Sequence, residues 1–395
     1  MTLPEPEVLN SLVGRIFRID DVTLGDPKAG FNVRYRGQIL SEDTAVAYDQ
    51  LAESIKPYNL IPLFRKEPDG RQAIFLVSKA PSPRPSKLWV NILMLVLTIL
   101  SVMLTGAQPE GPIPQSFLGQ VWMMARSILS GWPFALSLMG ILLAHEFGHY
   151  LAGRFHKTDV SLPFFIPLPF TLLGTMGAFI NMRERPKNRR ILFDIGVAGP
   201  LAGMVVAIPV LLYGLSLSKL GPIDPSSAGF IEGNSLAYLL AKLAVFGKLL
   251  PAPSSYGGMS PLLYWLRYFF TGTPIPLGGT DVFIHPVALA GWAGLLVTAL
   301  NLVPLGTLDG GHIVYSLLGD KVRKAFPFVV AIMAVLGLFW QGWWLWAVLL
   351  LWLGRVYAEP LDQITTLDAP RRRLAIFTML LFVLVFSPVP LIIYG

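Results

Sequence analysis

Long apolar runs recur along the chain after residue 87, separated by short segments that carry charges, proline or glycine. A helix needs about 20 mostly apolar residues to cross the hydrocarbon core of a bilayer. The apolar runs predict membrane spans at residues 88–105, 133–153, 191–217, 286–302, 325–340, 343–354 and 374–393, some of them short for a full crossing. Residues 235–250 and 261–270 are weaker candidates, which fit a helical hairpin or helices on the membrane surface. The pattern predicts a mostly α, polytopic helical membrane protein with about 7 to 9 membrane segments.

The first 80 residues follow a different pattern, in which apolar and polar residues alternate as in a half-buried strand. The predicted elements are a strand at 31–39, a helix at 41–56, and strands at 60–66 and 72–79. This βαββ order predicts a small α/β domain. The predicted organisation is therefore a soluble domain at 1–80, a proline-rich linker at 81–87, and a transmembrane domain at 88–395.

Composition supports the membrane assignment. Hydrophobic residues make up 53% of the 395 positions and charged residues only 14%, whereas a soluble domain is about 25% charged. The chain has no cysteine, which excludes disulfides and thiolate metal ligands. The net charge of +7 fits the loop charges of a membrane protein, so we expect a lipid bilayer and no nucleic acid as partner.

Basic residues mark one side of the predicted bundle. They cluster at 154–157, 183–190, 321–324 and 371–373, between or just before predicted spans. Because cytoplasmic loops carry an excess of Lys and Arg, this distribution predicts a cytoplasmic N-terminal domain and places residue 395 on the external side.

The strongest chemical signal is a His-Glu-x-x-His pattern in an apolar helix, at residues 145–149. His145 and His149 are four residues apart, so both imidazoles lie on one helical face and can reach one metal ion. Glu146 is placed to act as a general base. Buried ionisable groups are costly inside a membrane, which argues against a helix patch that merely packs.

A catalytic zinc ion needs a third protein ligand and an open position. The best candidate is Asp309, which follows the predicted span at 286–302. That span and the helix of His145 are both predicted to run from outside to inside. The topology therefore places Asp309, His145 and His149 at a similar membrane depth.

With these residues the chain resembles the site-2 protease family of intramembrane zinc metalloproteases, in its branch without a PDZ domain, found in bacteria and chloroplasts. The matching motifs are HEFGH at 145–149, LDG at 308–310, LGTMGA at 173–178 and AGPLAG at 198–203. The resemblance implies zinc held by the two histidines and the aspartate, with Glu146 as general base. It also implies single-pass membrane proteins as substrates and a location in a bacterial cell membrane.

Three further residues are candidate substrate-binding groups. Asn301 lies in the apolar run before Asp309, and its amide could polarise the scissile carbonyl. The structural alternative is a hydrogen bond at the end of a helix. Gly174 and Gly177 lie in the proline-rich stretch 161–182, which predicts a re-entrant loop or a shielded strand. An exposed strand edge there could pair with an extended substrate, whereas tight packing would also explain the glycines.

Two other functions remain open from the sequence. A membrane transporter or channel with an incidental metal site would show inverted repeats or paired broken helices, and none is evident. An inactive, protease-like scaffold would lack part of the site, whereas His145, Glu146, His149 and Asp309 are all present.

Overall fold

The computed structural model describes residues 4–25, 30–79, 87–112, 114–226 and 228–395. Most of the predicted linker at 81–87 lies outside the described residues. The described chain forms a small domain with one sheet, followed by a mostly helical domain.

The N-terminal domain contains more elements than predicted: α1 (Pro6–Gly14), β1 (Phe17–Leu24), β2 (Val33–Ile39), α2 (Thr44–Ile55), β3 (Leu60–Lys66) and β4 (Gln72–Ser78). The strands form an antiparallel sheet in the order β1-β2-β4-β3. The predicted βαββ order corresponds to β2, α2, β3 and β4, and it lacks α1 and β1. The reason is that β1 is an edge strand with a register shift between Ile19 and Asp21 and is mostly exposed, so it has no clear apolar alternation.

The helices of this domain pack their apolar faces on the sheet. Leu9 of α1 and Leu51 of α2 are buried together with Tyr35, Phe64 and Ile74 from three of the strands. The domain therefore has its own hydrophobic core.

The second domain contains eleven helices among the described residues: α3 (Leu88–Thr105), α4 (Phe117–Ser127), α5 (Trp132–Phe155), α6 (Arg189–Ser216), α7 (Leu236–Phe246), α8 (Pro261–Thr271), α9 (Pro286–Asn301), α10 (Asp309–Leu318), α11 (Phe326–Leu336), α12 (Gly342–Leu353) and α13 (Ala369–Val385). By length and composition, three described stretches can cross a membrane, namely Leu88–Thr105, Phe117–Phe155 and Arg189–Ser216. Helices also lie at the other predicted spans, but they are shorter, so the count of 7 to 9 membrane segments stays a prediction.

Helices α5, α6 and α9 form the centre of the bundle. Small residues let α6 and α9 approach closely. A Cβ added to Gly214 would lie 2.1 Å from the backbone nitrogen of Ala288, and one added to Gly291 would lie 2.6 Å from Cα of Leu211.

The proline-rich stretch after α5 forms a two-stranded antiparallel hairpin, β5 (Phe164–Pro167) and β6 (Thr175–Phe179). The stretch therefore contains extended strands, as one of the two predictions has it, and re-entry into a membrane stays a prediction. The amide Nδ2 of Asn91 on α3 donates to the carbonyl of Pro163 at 3.0 Å. This contact and the packing of β5 on α3 leave β6 as the strand on the side of α5.

Two further strand pairs lie beyond the C-terminal end of α6. They are β7 (Lys219–Pro222) with β9 (Thr280–Phe283), and β8 (Gly229–Glu232) with β10 (Leu391–Tyr394). The N-terminal domain instead contacts residues just before α6, where Lys187 Nζ lies 2.9 Å from Asp49 Oδ1. The N-terminal domain and β10 therefore lie at opposite ends of α6.

Candidate active site

The two histidines and the glutamate of the sequence motif lie on α5, and all three are buried. One helical turn separates His145 from His149, so the two rings point to the same side. Their Nε2 atoms are 3.2 Å apart. This spacing brings two nitrogen ligands to one point.

Asp309 completes this cluster as the first residue of α10. Its Oδ2 lies 3.2 Å from Nε2 of His145, and its Oδ1 lies 3.3 Å from Nε2 of His149. The structure thus brings together the three predicted metal ligands, which come from two helices far apart in the sequence.

The hydrogen bonding of His149 defines which ring nitrogen is free. Its Nδ1 lies 2.7 Å from the backbone carbonyl of Ile195. A carbonyl only accepts, so Nδ1 carries the proton and Nε2 of the neutral ring keeps its lone pair. This is the arrangement that metal-binding histidines adopt.

The ligand atoms fit a tetrahedral cation. Nitrogen and oxygen atoms about 2.0–2.1 Å from zinc lie about 3.3 Å from one another in a tetrahedron, close to the 3.2–3.3 Å found here. Three lone-pair atoms this close repel one another unless a cation or a proton lies between them. The donor set of two imidazoles and one carboxylate suits zinc.

Glycines on α6 make room for the histidine rings. A Cβ added to Gly199 would lie 2.1 Å from Nε2 of His149, whereas one added to Gly203 would lie 3.3 Å from Cβ of His145. On the α5 side, a Cβ added to Gly148 would lie 2.6 Å from the carbonyl oxygen of Ala198. The AGPLAG stretch therefore allows the close crossing of α5 and α6 behind the metal ligands.

Glu146 lines the same cavity as the three ligands. Its carboxylate is buried, and Oε2 has no hydrogen-bond partner among the described residues. A buried carboxylate oxygen without a donor is costly. This oxygen is therefore available to a water molecule in the cavity.

Three more polar side chains line the cavity, those of Asn301, Thr307 and His312. Nδ2 of Asn301, the last residue of α9, lies 3.5 Å from Nε2 of His145. His312 lies one turn after Asp309, and its buried Nδ1 has no partner among the described residues. Of these three, the sequence predicts a substrate-binding role for Asn301, and for His312 it favours a role beside the metal ligands or as a helix cap over ligation.

The two candidate glycines of the hairpin differ in their surroundings. Gly177 has a φ of +102° and open space where a Cβ would lie, and the adjoining residues Ala178 and Phe179 line the cavity. Gly174 has a φ of +71°, and a Cβ there would lie 2.6 Å from Oγ1 of Thr105 on α3. Gly177 thus lies at the cavity side of β6, whereas Gly174 packs against α3.

One positioning contact has no signal in the sequence. The carbonyl of Ile195 orients His149, but a backbone carbonyl in an apolar helix carries no residue-type pattern. Only the close packing of α5 on α6 places it there.

The decisive comparison is with protein families. Residues 133–340, which contain His145, His149 and Asp309, match the family model for Peptidase family M50. The chain belongs to peptidase family M50. The predicted resemblance to the site-2 proteases is confirmed.

Curated relatives of this M50 chain are named as chloroplast zinc metalloproteases. "Probable zinc metalloprotease EGY1, chloroplastic" from Oryza sativa subsp. japonica is 30% identical over 78% of this chain and 52% of the relative. The protein of the same name from Arabidopsis thaliana is 29% identical over 84% of this chain and 61% of the relative. "Probable zinc metalloprotease EGY2, chloroplastic" from Arabidopsis thaliana is 27% identical over 100% of this chain and 67% of the relative.

The match to EGY2 includes the N-terminal domain, which the motifs of the resemblance do not cover. The M50 chain spans about half to two thirds of the length of these relatives. No solved structure matches it significantly.

Proposed function

We propose that this chain is a zinc metalloprotease that hydrolyses peptide bonds of single-pass membrane proteins, within or beside the bilayer. The observation that carries the proposal is the convergence of His145, His149 and Asp309 at 3.2–3.3 Å, next to Oε2 of Glu146, which has no partner among the described residues. Membership of family M50 and the names of the relatives support it.

Nε2 of His145, Nε2 of His149 and the carboxylate of Asp309 would hold the zinc ion. When bound, zinc supplies a Lewis acid that polarises the peptide carbonyl and makes water a stronger nucleophile at neutral pH. Glu146 accepts a proton from the attacking water at Oε2 and then donates it to the nitrogen of the leaving amine. Water oxygen forms the new bond to the carbonyl carbon, and the carbon–nitrogen bond breaks.

Two groups around the cavity would hold the substrate. The Nδ2 group of Asn301 lies beside His145 and can donate to the carbonyl oxygen that develops charge. The free edge of β6 near Gly177 can pair with an extended peptide. Strand pairing would stabilise the unwound substrate, because a helical peptide bond is shielded from attack.

We also propose a multi-pass topology with a cytoplasmic N-terminal domain and an external residue 395. The positions of the N-terminal domain and β10 at opposite ends of α6 support it. The bacterial location remains an expectation from the resemblance, whereas the relatives are named chloroplastic.

The central experiment combines zinc analysis with cleavage of a single-pass reporter by the full chain in liposomes. Glu146→Gln should keep one zinc per chain and lower cleavage about 10²- to 10⁴-fold, because the amide cannot accept the proton. Glu53→Gln, at an exposed position of the N-terminal domain, is the matched control. Turnover by Glu146→Gln near the control rate would refute the role of Glu146 as general base. Zinc binding by the unaltered chain without any cleavage would favour the inactive, protease-like scaffold.

Substrate docking on β6 can be tested by crosslinking, because the chain has no cysteine. Phe179→Cys places a thiol at the cavity, and Phe170→Cys places one at an exposed position, 96% accessible, between β5 and β6. A reporter with one cysteine near the scissile bond should form a disulfide with the first variant and not with the second. Equal crosslinking of both would move the docking site away from β6.

A further inference from the structure

The N-terminal domain is joined to the protease domain by a segment that we call the docking segment, residues 359–366. It lies at the edge of β3, where the amide of Phe64 donates to the carbonyl of Leu361 at 3.0 Å and the amide of Gln363 donates to the carbonyl of Phe64 at 3.1 Å. The side chains of Leu361 and Ile364 pack against the core of the N-terminal domain. The docking segment therefore extends the domain's sheet at its β3 edge and also contributes to its core.

Polar contacts reinforce this junction. Oγ1 of Thr44 lies 2.6 Å from Oγ1 of Thr365, and Nη1 of Arg65 donates to the carbonyl of Leu361 at 2.7 Å. Asp362 is fully buried and accepts hydrogen bonds from the amides of Ile364 and Thr365. Burial raises the pKa of this carboxyl, which these hydrogen bonds partly offset.

The other side of the docking segment holds the start of α6. The amide of Leu361 donates to the carbonyl of Pro186 at 3.0 Å, and the amide of Asp362 donates to the carbonyl of Lys187 at 2.7 Å. The next residue, Asn188, caps α6 by accepting from the amide of Ile191 at 3.0 Å. One short segment thus connects the N-terminal domain to the first turn of α6.

The first two turns of α6 contact α10 and one of the metal ligands. Nε of Arg189 donates to the carbonyl of Ser316 at 2.9 Å, which fixes the end of α10, the helix of Asp309. The carbonyl of Ile195 orients the ring of His149. A shift of the start of α6 would therefore disturb His149 and the helix that carries Asp309.

An ion-pair network fixes the same turns to two other helices. Oδ2 of Asp194 lies 2.7 Å from Nη2 of Arg371 on α13 and 2.9 Å from Nε2 of His156 at the end of α5. Nε of Arg190 in the first turn of α6 also donates to the carbonyl of Thr366 at 3.1 Å, and α13 begins three residues later at Ala369. The docking segment therefore also links the start of α6 to the helix of Arg371. Asp194 directly precedes Ile195, so the network and the carbonyl that orients His149 are on the same turn.

We propose that the N-terminal domain is a positioning module for the metal centre: when docked on residues 359–366, it holds the start of α6 in the place that aligns His149 and α10 for zinc. This inference rests on the zinc site proposed above. A ligand or protein that pulls the domain away would then weaken zinc binding and proteolysis without touching the active site.

The test uses the full, zinc-loaded chain in detergent and the double variant Leu361→Asp/Ile364→Asp, which places two charges against the domain core. Leu24→Asp/Leu40→Asp is the matched control, at two leucines of the same domain that are 66% and 61% exposed. Hydrogen exchange at Phe64 and Gln363 measures undocking directly. Zinc transfer to a chromogenic chelator and exchange at 189–196 are the readouts.

We expect the docking variant to expose the amides of 189–196 and to release zinc about tenfold faster or more, as when an outer partner of a metal ligand is lost. The control should match the unaltered chain. Adding Thr44→Cys/Thr365→Cys gives a pair that can form a disulfide, and oxidation should slow zinc release again while reduction should not.

Undocking without faster zinc release, or with unchanged hydrogen exchange at 189–196, would overturn the proposal. It would show that the N-terminal domain does not position the metal site. If the unaltered chain itself holds no zinc, the proposed function fails instead, so the two failures are distinguishable. A docking variant that stays docked by exchange at Phe64 and yet releases zinc faster would also contradict the proposal.

Discussion

Two clusters of buried ionisable side chains among the described residues differ in how their charge is balanced. The distal cluster joins β8, α7 and β9: the hydroxyl of Tyr238 donates to Oε1 of Glu232 at 2.6 Å, and Nζ of Lys242 lies 3.9 Å from Oδ1 of Asp281. Nζ of Lys242 also lies 4.4 Å from the ring centre of Tyr238. This cluster contains its own cation, which is fully buried.

The cluster on α5 and α10 has no such cation. His145, His149 and Asp309 direct lone pairs at one point, and no lysine or arginine is among the residues that line the cavity. This contrast separates a metal site from a structural ion pair. A buried cluster that needs an external cation is a candidate metal site, whereas one that balances itself is a candidate for stability.

The largest expected effect is on zinc affinity, and it is tested by changing one aspartate of each cluster. Asp309→Asn should weaken zinc binding more than about a hundredfold, because an amide is a far poorer ligand than a carboxylate. Asp281→Asn should leave zinc affinity within about twofold. Competition with a chelator of known affinity measures both zinc affinities, and equal loss in both variants would show that the two clusters do not differ in their need for zinc.

The second prediction removes the cation of the distal cluster. Lys242→Met should lower the free energy of unfolding by about 3–5 kcal/mol, since it leaves Glu232 and Asp281 as buried carboxylates without a positive partner. Lys248→Met, at an exposed position just after α7, is the control. Thermal unfolding in detergent reads the effect, and an unchanged midpoint for Lys242→Met would show that the cluster does not depend on its charge.

A smaller effect is expected from the glycines behind the metal ligands. Gly199→Ala places a methyl group 2.1 Å from Nε2 of His149, whereas Gly203→Ala places one at 3.3 Å from Cβ of His145. We therefore expect Gly199→Ala to lower zinc affinity about 10- to 100-fold and Gly203→Ala to lower it far less. Zinc titration of the two variants is the test, and the reverse order would contradict the geometry of the α5–α6 crossing.

The smallest expected effect is a pH dependence of stability that comes from the distal cluster. Burial, with a contribution from Asp281, raises the pKa of Glu232, while Lys242 and the hydroxyl of Tyr238 oppose the rise and Tyr268 lies nearby. A raised pKa in the folded state means that stability is greatest below the usual carboxyl pKa and is lost as the pH rises through the raised value.

The unfolding midpoint of the unaltered chain should therefore be a few degrees higher at about pH 5 than at about pH 8. The same difference in midpoint, measured for Glu232→Gln, is subtracted first. The subtraction removes the contribution of the metal ligands, which both proteins share. A pH dependence that is identical in the two proteins would exclude Glu232 as its source.

The sequence predicts the parts of the fold and site that depend on residue type and spacing. The four-residue spacing of His145 and His149 and the predicted depth of Asp309 are enough to bring these residues together, and helices lie at the predicted spans. The sequence also predicts β2, α2, β3 and β4, because their apolar patterns are regular.

What the sequence misses depends on contacts between distant segments. The exposed edge strand β1 has no apolar alternation, and the carbonyl of Ile195 has no side-chain signature. Glu232 and Asp281 look like ordinary loop charges, since nothing local indicates that Lys242 will lie between them. The docking segment also cannot be predicted from the sequence, because its strand pairing with Phe64 joins residues almost 300 positions apart.

The length of the helices around the active site has a consequence for the membrane itself. With 18 residues, α3 rises about 27 Å, whereas a typical hydrocarbon core is about 30 Å thick. In the proposed membrane topology α3 would be slightly short for such a bilayer, and lipid beside its exposed face would thin to match it. The thinned region would bring bulk water closer to the hairpin of β5 and β6 that packs on α3, and it would favour residence in bilayers with short acyl chains.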